Sequence, residues 1–412
     1  MPGRIADSGL AARGRQSFEW AARRMGIIEK IAAKNERVQP LAGMRLGICL
    51  HVTRETSVLA MAAKRLGAEI AICSANPLSV QDDVAAFLYD QGMHVYAWRG
   101  ETRAQYLQCI RNVLAFRPLI VTDDGGDLHT AAHRNRKASG TIMGGTEETT
   151  SGVKRLAALE RSGKLLYPVI AVNNARTKYL FDNRHGTGQS TLDGILRATG
   201  ILFAGKNVVV CGYGWVGKGV ASRARGMGAA VTVTEVDPVR AIEARMDGFE
   251  VMKLSEAAPS GDVFVTCTGQ TGVIRKEHFL KMKDGAILAN AGHFDVEIDV
   301  ESLYSLGGRR PVQVRPNVER IMVRGKKLYL IAKGRVANLV AADGHPPEVM
   351  ALSFANQLLS ILHVAKNHDR LDAKVYDVPE KIDGQVARYA LDAMGITIDE
   401  MTPEQRRYQD SS

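Results

Sequence analysis

The fold is decided by the stretch GKNVVVCGYGWVGKGVASRARGMGAAVTVTEVD, residues 205–237. Its first apolar run ends in a Gly-x-Gly-x-x-Gly loop at Gly212, Gly214 and Gly217, and a helix-length segment and a second apolar run follow. Such glycines allow a tight turn, bring backbone N–H groups close to a pyrophosphate and let helix and strand pack together. In a chain with 40 glycines the spacing alone is weak, but its place between a strand and a helix strongly indicates dinucleotide binding.

Glu235 closes the second apolar run, about twenty residues after the loop. A carboxylate there suits the two hydroxyls of an NAD ribose and would repel the phosphate of NADP. Two later apolar runs end in TCTG (266–269) and NAGH (290–293), which would reach the nicotinamide half of the cofactor. We therefore predict NAD binding. The predicted cofactor-binding residues of this unit are Gly212, Gly214, Trp215, Val216, Gly217, Glu235, Thr268, Gly269, Asn290, Gly292, His293 and Asn338.

The first half of the chain alternates short apolar runs with amphipathic segments of helix length. This alternation indicates a parallel α/β sheet. Polar residues follow four of the runs, namely His51 and Thr53, Ser74 and Asn76, Asp123 and Asp124, and Asn173 and Asn174. Ligands of open α/β sheets bind off the carboxyl ends of the strands, so we expect these groups to converge on one crevice. Ser74 or Asn76 alone would more often cap the next helix.

The predicted fold class is α/β, with two parallel-sheet, Rossmann-like domains and a C-terminal helical segment. We expect a substrate-binding domain over residues 1–185, an NAD-binding domain over 186–343 and a return to the substrate domain over 344–375. Residues 376–412 are predicted to form a C-terminal oligomerisation or tail segment, whose polar end is either disordered or lies on a partner.

Composition excludes several classes of protein. With 45% hydrophobic and 24% charged residues, and no apolar run near the roughly 18 residues that a membrane helix needs, no membrane association is expected. The N-terminal segment lacks the apolar core of a signal peptide, so the expected location is cytoplasmic. The five cysteines are scattered, which predicts neither a disulfide framework nor a metal site. The net charge of +10 is dispersed, so no nucleic-acid partner is expected.

The segment TKYLFDN (177–183) places Lys178 and Asp182 four residues apart. On an isolated helix such a pair is most often a surface ion pair worth a few tenths of a kcal/mol. A lysine serves as a base only when burial or a nearby positive charge lowers its pKa. The spacing alone therefore leaves open whether this is a solvated pair or a proton-handling cluster.

Six motifs, in this order along the chain, resemble those of the S-adenosylhomocysteine hydrolase family: DDGGD (123–127), EETTSGV (147–153), TKYLFDN (177–183), GYGWVGKG (212–219), ANAGHFDVEID (289–299) and GHPPEVMALSFANQ (344–357). The similarity runs from about residue 40 to residue 400. The short C-terminus and DNRHGTGQSTLDGI look closer to the archaeal and thermophile-type branch.

The resemblance implies reversible cleavage of S-adenosylhomocysteine to adenosine and homocysteine by a homotetramer with tightly bound NAD. In this scheme the ribose 3′-hydroxyl is oxidised to a ketone, which acidifies the 4′ C–H. The thiol then leaves from C5′, water adds, and the ketone is reduced again. Such chemistry needs both a dehydrogenase fold and residues that move protons at two carbons.

By the same resemblance, Lys178 assists deprotonation of the 3′-hydroxyl, Asp182 holds a ribose hydroxyl and tunes the lysine, and Asn183 lies next to the nicotinamide. Glu148 matches the residue that hydrogen-bonds the ribose hydroxyls. In isolation it would be an acid at a helix start. Three successive hydroxyl residues match those that reach NAD from the substrate domain, with serine in the last place: Thr149, Thr150 and Ser151.

Asp124 matches the family's base for the 4′ proton, with His51 and His293 as its partners in proton transfer at C4′ and C5′. A lone histidine is more often a structural donor, but both of these lie at strand ends. Thr53 and Glu55 match the residues that contact the adenine edge, and a glutamate acceptor favours adenosyl over inosyl substrate. The remaining predicted substrate-binding residues are Gln81, Phe294, His345, Met350 and Phe354, of which His345 and Phe294 resemble the family's gate to the homocysteine channel.

Two departures from the family pattern are visible. Thr187 stands where many members have a cysteine near the cofactor. The C-terminal Lys and Tyr that reach a neighbouring subunit's NAD in eukaryotic-type members have no clear counterpart, although Arg406, Arg407 and Tyr408 lie nearby.

Three further functions remain as alternatives to adenosyl hydrolysis. The first is S-inosyl-L-homocysteine hydrolysis, which some archaeal relatives are thought to prefer. The second is an NAD-dependent dehydrogenase of a small hydroxy acid, which would not need Lys178, Asp124 and Glu148 together. The third is a catalytically silent scaffold, which would be expected to have lost one or more of these residues.

Overall fold

The computed structural model describes residues 3–308 and 310–411 and contains two large β-sheets. The strands before residue 200 are β1 (Arg45–Leu50), β2 (Glu69–Ser74), β3 (His94–Tyr96), β4 (Ile120–Asp123), β5 (Gly144–Glu147) and β6 (Val169–Ala171). The later strands are β7 (Asn207–Cys211), β8 (Ala230–Thr234), β9 (Glu250–Val251), β10 (Val263–Thr266), β11 (Ile287–Asn290), β12 (Val312–Arg315), β13 (Val318–Val323), β14 (Lys326–Ile331) and β15 (Val375–Asp377).

The first sheet has seven parallel strands in the order β15-β6-β5-β4-β1-β2-β3. The chain runs outward from β1 to β3 on one side and from β4 to β6 on the other, so the direction of winding reverses between β1 and β4. Such a reversal opens a crevice at the carboxyl ends of the two strands. His51 and Asp124 follow those ends directly.

The second sheet has eight strands in the order β12-β13-β14-β11-β10-β7-β8-β9. The strands from β14 to β9 are parallel, and the winding reverses between β7 and β10, next to the Gly212 loop. At the other edge β12 and β13 pair antiparallel, as do β13 and β14. The predicted parallel sheet is therefore confirmed, with an antiparallel edge that the sequence analysis did not predict.

Helices cover both sheets. Those of the first half are α1 (Ala11–Arg24), α2 (Gly26–Asn35), α3 (Arg54–Arg65), α4 (Asp82–Asp90), α5 (Arg103–Ala115), α6 (Asp127–Arg134), α7 (Arg136–Ser139), α8 (Thr150–Arg161), α9 (Arg176–Lys178) and α10 (Thr187–Thr199). The later ones are α11 (Trp215–Gly226), α12 (Pro238–Met246), α13 (Leu254–Ala257), α14 (Lys276–Lys281), α15 (Val300–Gly307), α16 (Ala337–Val340), α17 (Pro347–Asn367), α18 (Glu380–Ala393) and α19 (Pro403–Ser411). A π-helical segment, Tyr179–Gly186, joins α9 to α10.

Helix α17 brings the chain back from the second sheet to the first. It packs on α2, α3 and β5, and most of its side chains are buried. By length and composition alone the stretch Pro347–Arg370 could cross a membrane, but 67% of its most apolar 18-residue window is buried inside the protein. This burial among the apolar residues of the first sheet's core explains the apolar composition of the helix.

The C-terminal part continues this return. Strand β15 pairs with β6 at the edge of the first sheet, and α18 packs on α2, α9 and α17. The polar end of the chain, predicted to be disordered or to lie on a partner, forms α19, which has no buried residue. Exposed apolar side chains precede and follow the start of α19, namely Met394, Ile396, Ile398, Met401 and Tyr408.

Candidate active site

A cluster of three side chains lies at the reversal point of the first sheet. His51 Nε2 is 3.5 Å from Asp124 Oδ2, and His293 Nδ1 is 3.6 Å from Asp124 Oδ1. His293 comes from the second sheet, after β11, and reaches the loop after β4 because Gly125 has no side chain: a Cβ there would lie 2.4 Å from His293 Nε2. The structure thus brings together three residues that the sequence predicted to act together.

His51 is held in its neutral form. Burial lowers its pKa to about 4, although the nearby charge of Asp124 acts in the opposite direction. The other ring nitrogen, Nδ1, lies 2.7 Å from Ser79 Oγ. A neutral imidazole fixed on one side can accept or pass a proton on the other.

A second cluster surrounds Lys178. Its Nζ donates to Asp182 Oδ1 and to Asn183 Oδ1, both at 2.9 Å, and lies 3.5 Å from Glu148 Oε1. Lys178, Asp182 and Glu148 are all buried, so the surface ion pair that the spacing left open is excluded. Asp124 and Glu148 follow the paired ends of β4 and β5, and Glu148 N donates to Asp123 O at 2.9 Å, which places the two clusters side by side.

The charges of this cluster set its protonation. Burial by itself would lower the pKa of Lys178, but the carboxylates of Asp182 and Glu148 outweigh it and raise that pKa above its ordinary value. For Asp182, burial acts to raise the pKa, and the charges of Lys178 and His345 more than offset it, so the carboxyl stays ionised. Burial raises the pKa of Glu148 to about 7. The condition that a basic lysine requires, a lowered pKa, is therefore not met by the chain alone.

Helix α17 holds Glu148. Ser353 Oγ donates to Glu148 Oε1, and Gln357 Nε2 donates to Oε2 at 2.6 Å. Ser353, Gln357 and their neighbour Asn356 were not predicted from the sequence to belong to the site. A signal was present, because three polar residues at positions i, i+3 and i+4 share one face of an otherwise apolar helix.

His345 and Asn338 join the same network. His345 Nδ1 lies 3.1 Å from Asp182 Oδ2, while its Nε2 lies 3.1 Å from Thr187 Oγ1 and 3.2 Å from Asn338 Nδ2. Asn338 also donates to Ser190 Oγ. The predicted gate residue His345 therefore contacts Asp182 directly, and Thr187, in the place of the family's cysteine, contacts that histidine.

The glycine loop forms a cradle for a dinucleotide. Gly212 has φ +102°, and a Cβ on Gly217 would lie 2.0 Å from Gly212 O, so both positions require glycine. Glu235 stands beyond the loop and accepts from Tyr213 N at 2.7 Å and from Val236 N at 2.6 Å. Its carboxylate is thereby fixed at the end of β8, where NAD ribose hydroxyls would bind. These residues fit NAD.

The loop also meets the segment that carries Lys178. Trp215, the first residue of α11, stacks on Tyr179 with ring centroids 5.1 Å apart. A Cβ on Gly219 would lie 1.8 Å from Arg184 O, so α11 and the π-helical segment touch backbone to backbone. Val216 packs against the buried apolar residues of the second sheet and its helices.

Glu297, which was not predicted from the sequence, links the segment after β11 to the segment after β10. Its carboxylate accepts from Thr268 N, from Thr268 Oγ1 and from Gly269 N at 2.8–2.9 Å. Asn290 is buried: its Oδ1 accepts from Gly292 N at 2.7 Å, and its Nδ2 donates to Phe294 O. In this structure the Asn290 side chain shapes the loop that carries His293.

Other predicted residues lie around this crevice. Asn173 Oδ1 accepts from Thr150 Oγ1 and from Asn183 Nδ2, each at 3.2 Å. Thr149 precedes α8, and Ser151 Oγ is buried and has no hydrogen-bond partner among the described residues.

Thr53, Glu55 and Gln81 gather at the start of α3. Gln81 Oε1 accepts from Arg54 N at 3.0 Å, and Arg54 Nε donates to Glu55 Oε1 at 2.7 Å. Glu55 is buried, which raises its pKa. Thr53 is the residue before the helix and is also buried.

The remaining substrate-side predictions fall on two elements. Phe354 is buried in the first core, and Met350, one turn earlier on α17, is partly buried against it. Phe294 packs edge-on against His293, and the guanidinium of Arg155 lies 4.5 Å from the centre of the Phe294 ring.

A buried cluster of Asp123, His129 and Glu147 lies beneath the loop after β4, and it has the residue types of a metal site. Its histidine is fully engaged, with Nδ1 3.0 Å from Tyr167 Oη and Nε2 3.2 Å from Thr146 O. Glu147 Oε1 accepts from Gly125 N and Thr149 N, which ties two loops of the site together. These contacts give the cluster a structural role.

Comparison with known proteins agrees with this geometry. Residues 3–141 match the family model described as S-adenosyl-L-homocysteine hydrolase, and residues 183–344 match that of its NAD binding domain. The chain is 56% identical over 409 residues to the adenosylhomocysteinase of Sulfolobus acidocaldarius, covering 99% of this chain and 98% of that protein. It is 52% identical over 405 residues to the S-inosyl-L-homocysteine hydrolase of Methanocaldococcus jannaschii, covering 98% and 97%. It is also 52% identical over 402 residues to the adenosylhomocysteinase of Gloeobacter violaceus, covering 97% and 94%. The chain belongs to the S-adenosyl-L-homocysteine hydrolase family.

Proposed function

We propose that this protein is an enzyme that reversibly hydrolyses S-adenosyl-L-homocysteine to adenosine and L-homocysteine, using tightly bound NAD. The observation that carries the proposal is the single crevice in which a buried Lys178–Asp182–Glu148 cluster lies within electrostatic reach of Asp124 and its two histidines. An ordinary dehydrogenase needs one proton-handling site, whereas this reaction needs one at the 3′-hydroxyl and another at C4′ and C5′.

NAD, when bound, supplies the acceptor for the hydrogen of C3′ and a positive charge beside the site. The glycine loop would hold its pyrophosphate, and Glu235 its adenine-side ribose. Thr149, Thr150 and Ser151, with Asn183, would contact the cofactor from the first domain. The orphaned, buried hydroxyl of Ser151 supports this assignment, since buried polar groups normally have partners.

At the 3′-hydroxyl, Lys178 is the residue that assists removal of the proton. Before the reaction, Asp182 and Glu148 keep Lys178 in its charged form. The positive charge of NAD bound beside the site would lower the pKa of Lys178, so that the lysine could act as a base. Asp182 and Glu148 would also accept hydrogen bonds from the ribose hydroxyls. Glu148, with a pKa of about 7, can take up or release a proton near neutral pH.

At C4′, Asp124 would remove the proton that the adjacent ketone acidifies. The C5′–S bond then breaks, the electron pair leaves with sulfur, and His51 or His293 delivers a proton to the departing thiolate. Water then adds across C4′ and C5′: its oxygen bonds to C5′, the proton that it loses is taken up by Asp124 and its histidine partners, and C4′ receives from Asp124 a proton that has exchanged with solvent. Neutral His51 suits this shuttle because it can both accept and donate.

S-Inosyl-L-homocysteine is the second candidate substrate. A glutamate acceptor at Glu55 favours the exocyclic amine of adenine, but Arg54 already donates to that carboxylate and could also donate to a 6-oxo group. A relative with the inosyl activity in its name is as similar to this chain as some adenosylhomocysteinases. Comparing kcat/KM for the two thioethers decides between them.

We propose further that the chain is divided into a substrate domain and an NAD domain, which close over the reacting atoms and exclude water. His345 and Phe294 would gate the homocysteine channel, with Gln81, Met350 and Phe354 lining the substrate. A cytoplasmic homotetramer is the assembly that the family resemblance supports. The exposed apolar residues around the start of α19 are consistent with a partner there.

The test is incubation of the purified protein with S-adenosyl-L-homocysteine and a thiol-reactive dye, without added NAD. Sustained release of homocysteine with no net gain of reduced-nicotinamide absorbance is the expected result. Stoichiometric accumulation of that absorbance would instead indicate a dehydrogenase, and neither signal would indicate a silent scaffold.

A further inference from the structure

Lys178 lies on an element that cannot fix its own position. Helix α9 has only three residues and no capping side chain of its own, and the irregular π-helical segment follows it. The first N–H groups of any helix lack partners within the helix, so they must be satisfied from elsewhere. The group that accepts hydrogen bonds from these N–H groups therefore helps to fix the position of Lys178.

The partner comes from α18, more than 200 residues away along the chain. Asp383 Oδ2 accepts from Arg176 N at 2.8 Å, and Oδ1 accepts from Thr177 N at 2.9 Å. The hydroxyl of Thr177 also donates to Asp383 Oδ1. One carboxylate therefore makes three contacts to the two residues that precede Lys178, in the manner of a helix cap supplied by a distant segment.

The contact continues into the helix that holds Glu148. Asn356 Nδ2 donates to Thr177 Oγ1 at 2.7 Å, and Ser353 and Gln357, on the same face of α17, bind Glu148. A chain of hydrogen bonds thus runs from Asp383 through Thr177 to Asn356. Thr177 directly precedes Lys178, and Asn356 lies beside the two residues that bind Glu148.

We propose that Asp383, on α18, is a positioning residue for Lys178. Asp383 touches neither cluster of the site directly, so its effect passes through the backbone at Arg176 and Thr177. The inference rests on the proposed function, because it concerns the rate at which Lys178 acts. It assigns a role to the C-terminal part of the chain that is separate from any contact with another subunit.

The experiment compares Asp383→Ala and Asp383→Asn with Asp392→Asn. Asp392 is the matched control, since it lies on the same helix and anchors α18 to α2 through Lys30, away from the site. We expect kcat for thiol release to fall about 10- to 100-fold in Asp383→Ala, since a displacement of about 1 Å can cost about 100-fold. KM should change by less than about threefold, because substrate binding is not what the contact supports. Asp392→Asn should stay within about twofold of the unchanged protein.

Amide hydrogen exchange gives a readout that does not depend on turnover. Exchange at residues 176–178 should accelerate in both Asp383 variants and not in Asp392→Asn. Thr177→Ser, which keeps the hydroxyl, should retain most of the kcat that Thr177→Val loses. The bound NAD content should match that of the unchanged protein in all of these variants.

Two results would overturn the proposal. One is a kcat within about twofold of normal in Asp383→Ala despite faster exchange at 176–178, which would show that Lys178 does not need the cap. The other is an equal loss in the Asp383 and Asp392 variants, which would assign the effect to the stability of α18. Failure of the proposed function is distinct, since the unchanged protein would then release no thiol.

Discussion

Lys178 shows how single residues set the chemistry of this site. An isolated buried lysine tends to lose its proton, because a low-dielectric environment disfavours charge. Here two carboxylates within 3.5 Å reverse that tendency, and an amide oxygen takes another of the three ammonium hydrogens. The lysine is therefore kept charged and oriented until its surroundings change. Removal of one member would leave the others as uncompensated buried charges.

Lys178→Ala should lower the rate of homocysteine release by roughly 10²- to 10⁴-fold, the range expected for loss of a positioned proton-transfer group. The variant should retain NAD, because the glycine loop and Glu235 are untouched. Turnover follows from the thiol assay, and NAD content from the nucleotide released on denaturation. Lys164→Ala, at an exposed position, is the control. Near-normal turnover in Lys178→Ala would remove the lysine from the mechanism.

Glu148→Gln should make the difference in stability between variant and unchanged protein depend on pH. Burial raises the pKa of Glu148 from an ordinary 4.5 to about 7. A raised pKa means that its contribution to stability is fully present below pH 4.5 and is lost as pH rises through 7. As the pH rises from 5 to 8, the free energy of unfolding of the variant should therefore increase by about 1–3 kcal/mol relative to that of the unchanged protein.

Denaturant unfolding at the two pH values measures this gain. Asp123, whose pKa burial also raises to about 7, is present in both proteins and cancels in the difference. A difference that is the same at both pH values would show that Glu148 does not titrate in this interval.

Among the elements, the crossing of α10, α11 and the π-helical segment links the two sheets. The segment passes so close to α11 that no side chain fits at Gly219, and a Cβ on Gly188 would lie 2.6 Å from the backbone of Gly219. Residues Lys178 to Asn183 are thereby held against the first turn after the dinucleotide loop. Glycine at a crossing trades helix propensity for close approach of two backbones.

Gly219→Ala should destabilise the protein by about 1–3 kcal/mol, since overpacking forces the backbone to move. It should also weaken NAD retention, because the shift is transmitted to Trp215 and Tyr179. Gly226→Ala lies on the same helix, and apart from the chain neighbours and the helix's own backbone no described atom lies within 4 Å of the new Cβ, so this variant should be neutral or stabilising by up to about 1 kcal/mol. Thermal unfolding and NAD content compare the pair, and equal stability of the two variants would contradict the argument.

The sequence predicted elements well where a local pattern was sufficient. The strand-loop-helix around Gly212 and the polar strand ends at His51 and Asp124 follow from short-range periodicity. Strands β5, β9, β12, β13, β14 and β15 were not predicted; of these, β12 is exposed throughout, and β9 and β15 have only two and three residues. The hydrogen-bond partners of Ser353, Gln357 and Asp383 lie about 200 positions away along the chain, so no local sequence pattern predicts these contacts. The raised pKa of Lys178 likewise depends on charges brought together by folding.

At the scale of the whole molecule, both sheets contribute to one crevice. The first sheet supplies His51 and Asp124 from its reversal point, and the loop after β11 of the second sheet supplies His293. The order of elements explains this arrangement, because α17 returns from the second sheet to pack under Glu148. A chain built in this way can place a bound cofactor against a bound nucleoside and shield both from water.

A temporary oxidation at C3′ permits loss of the thiol across C4′ and C5′ in the proposed mechanism. Hydrolysis of S-adenosyl-L-homocysteine in deuterium oxide, with the adenosine product analysed by proton NMR, tests for this oxidation. We expect deuterium at C4′, because that proton is exchanged with solvent, and the original hydrogen at C3′, because it is returned. Adenosine with its original hydrogen fully retained at C4′ would instead show direct displacement at C5′ without oxidation of the ribose.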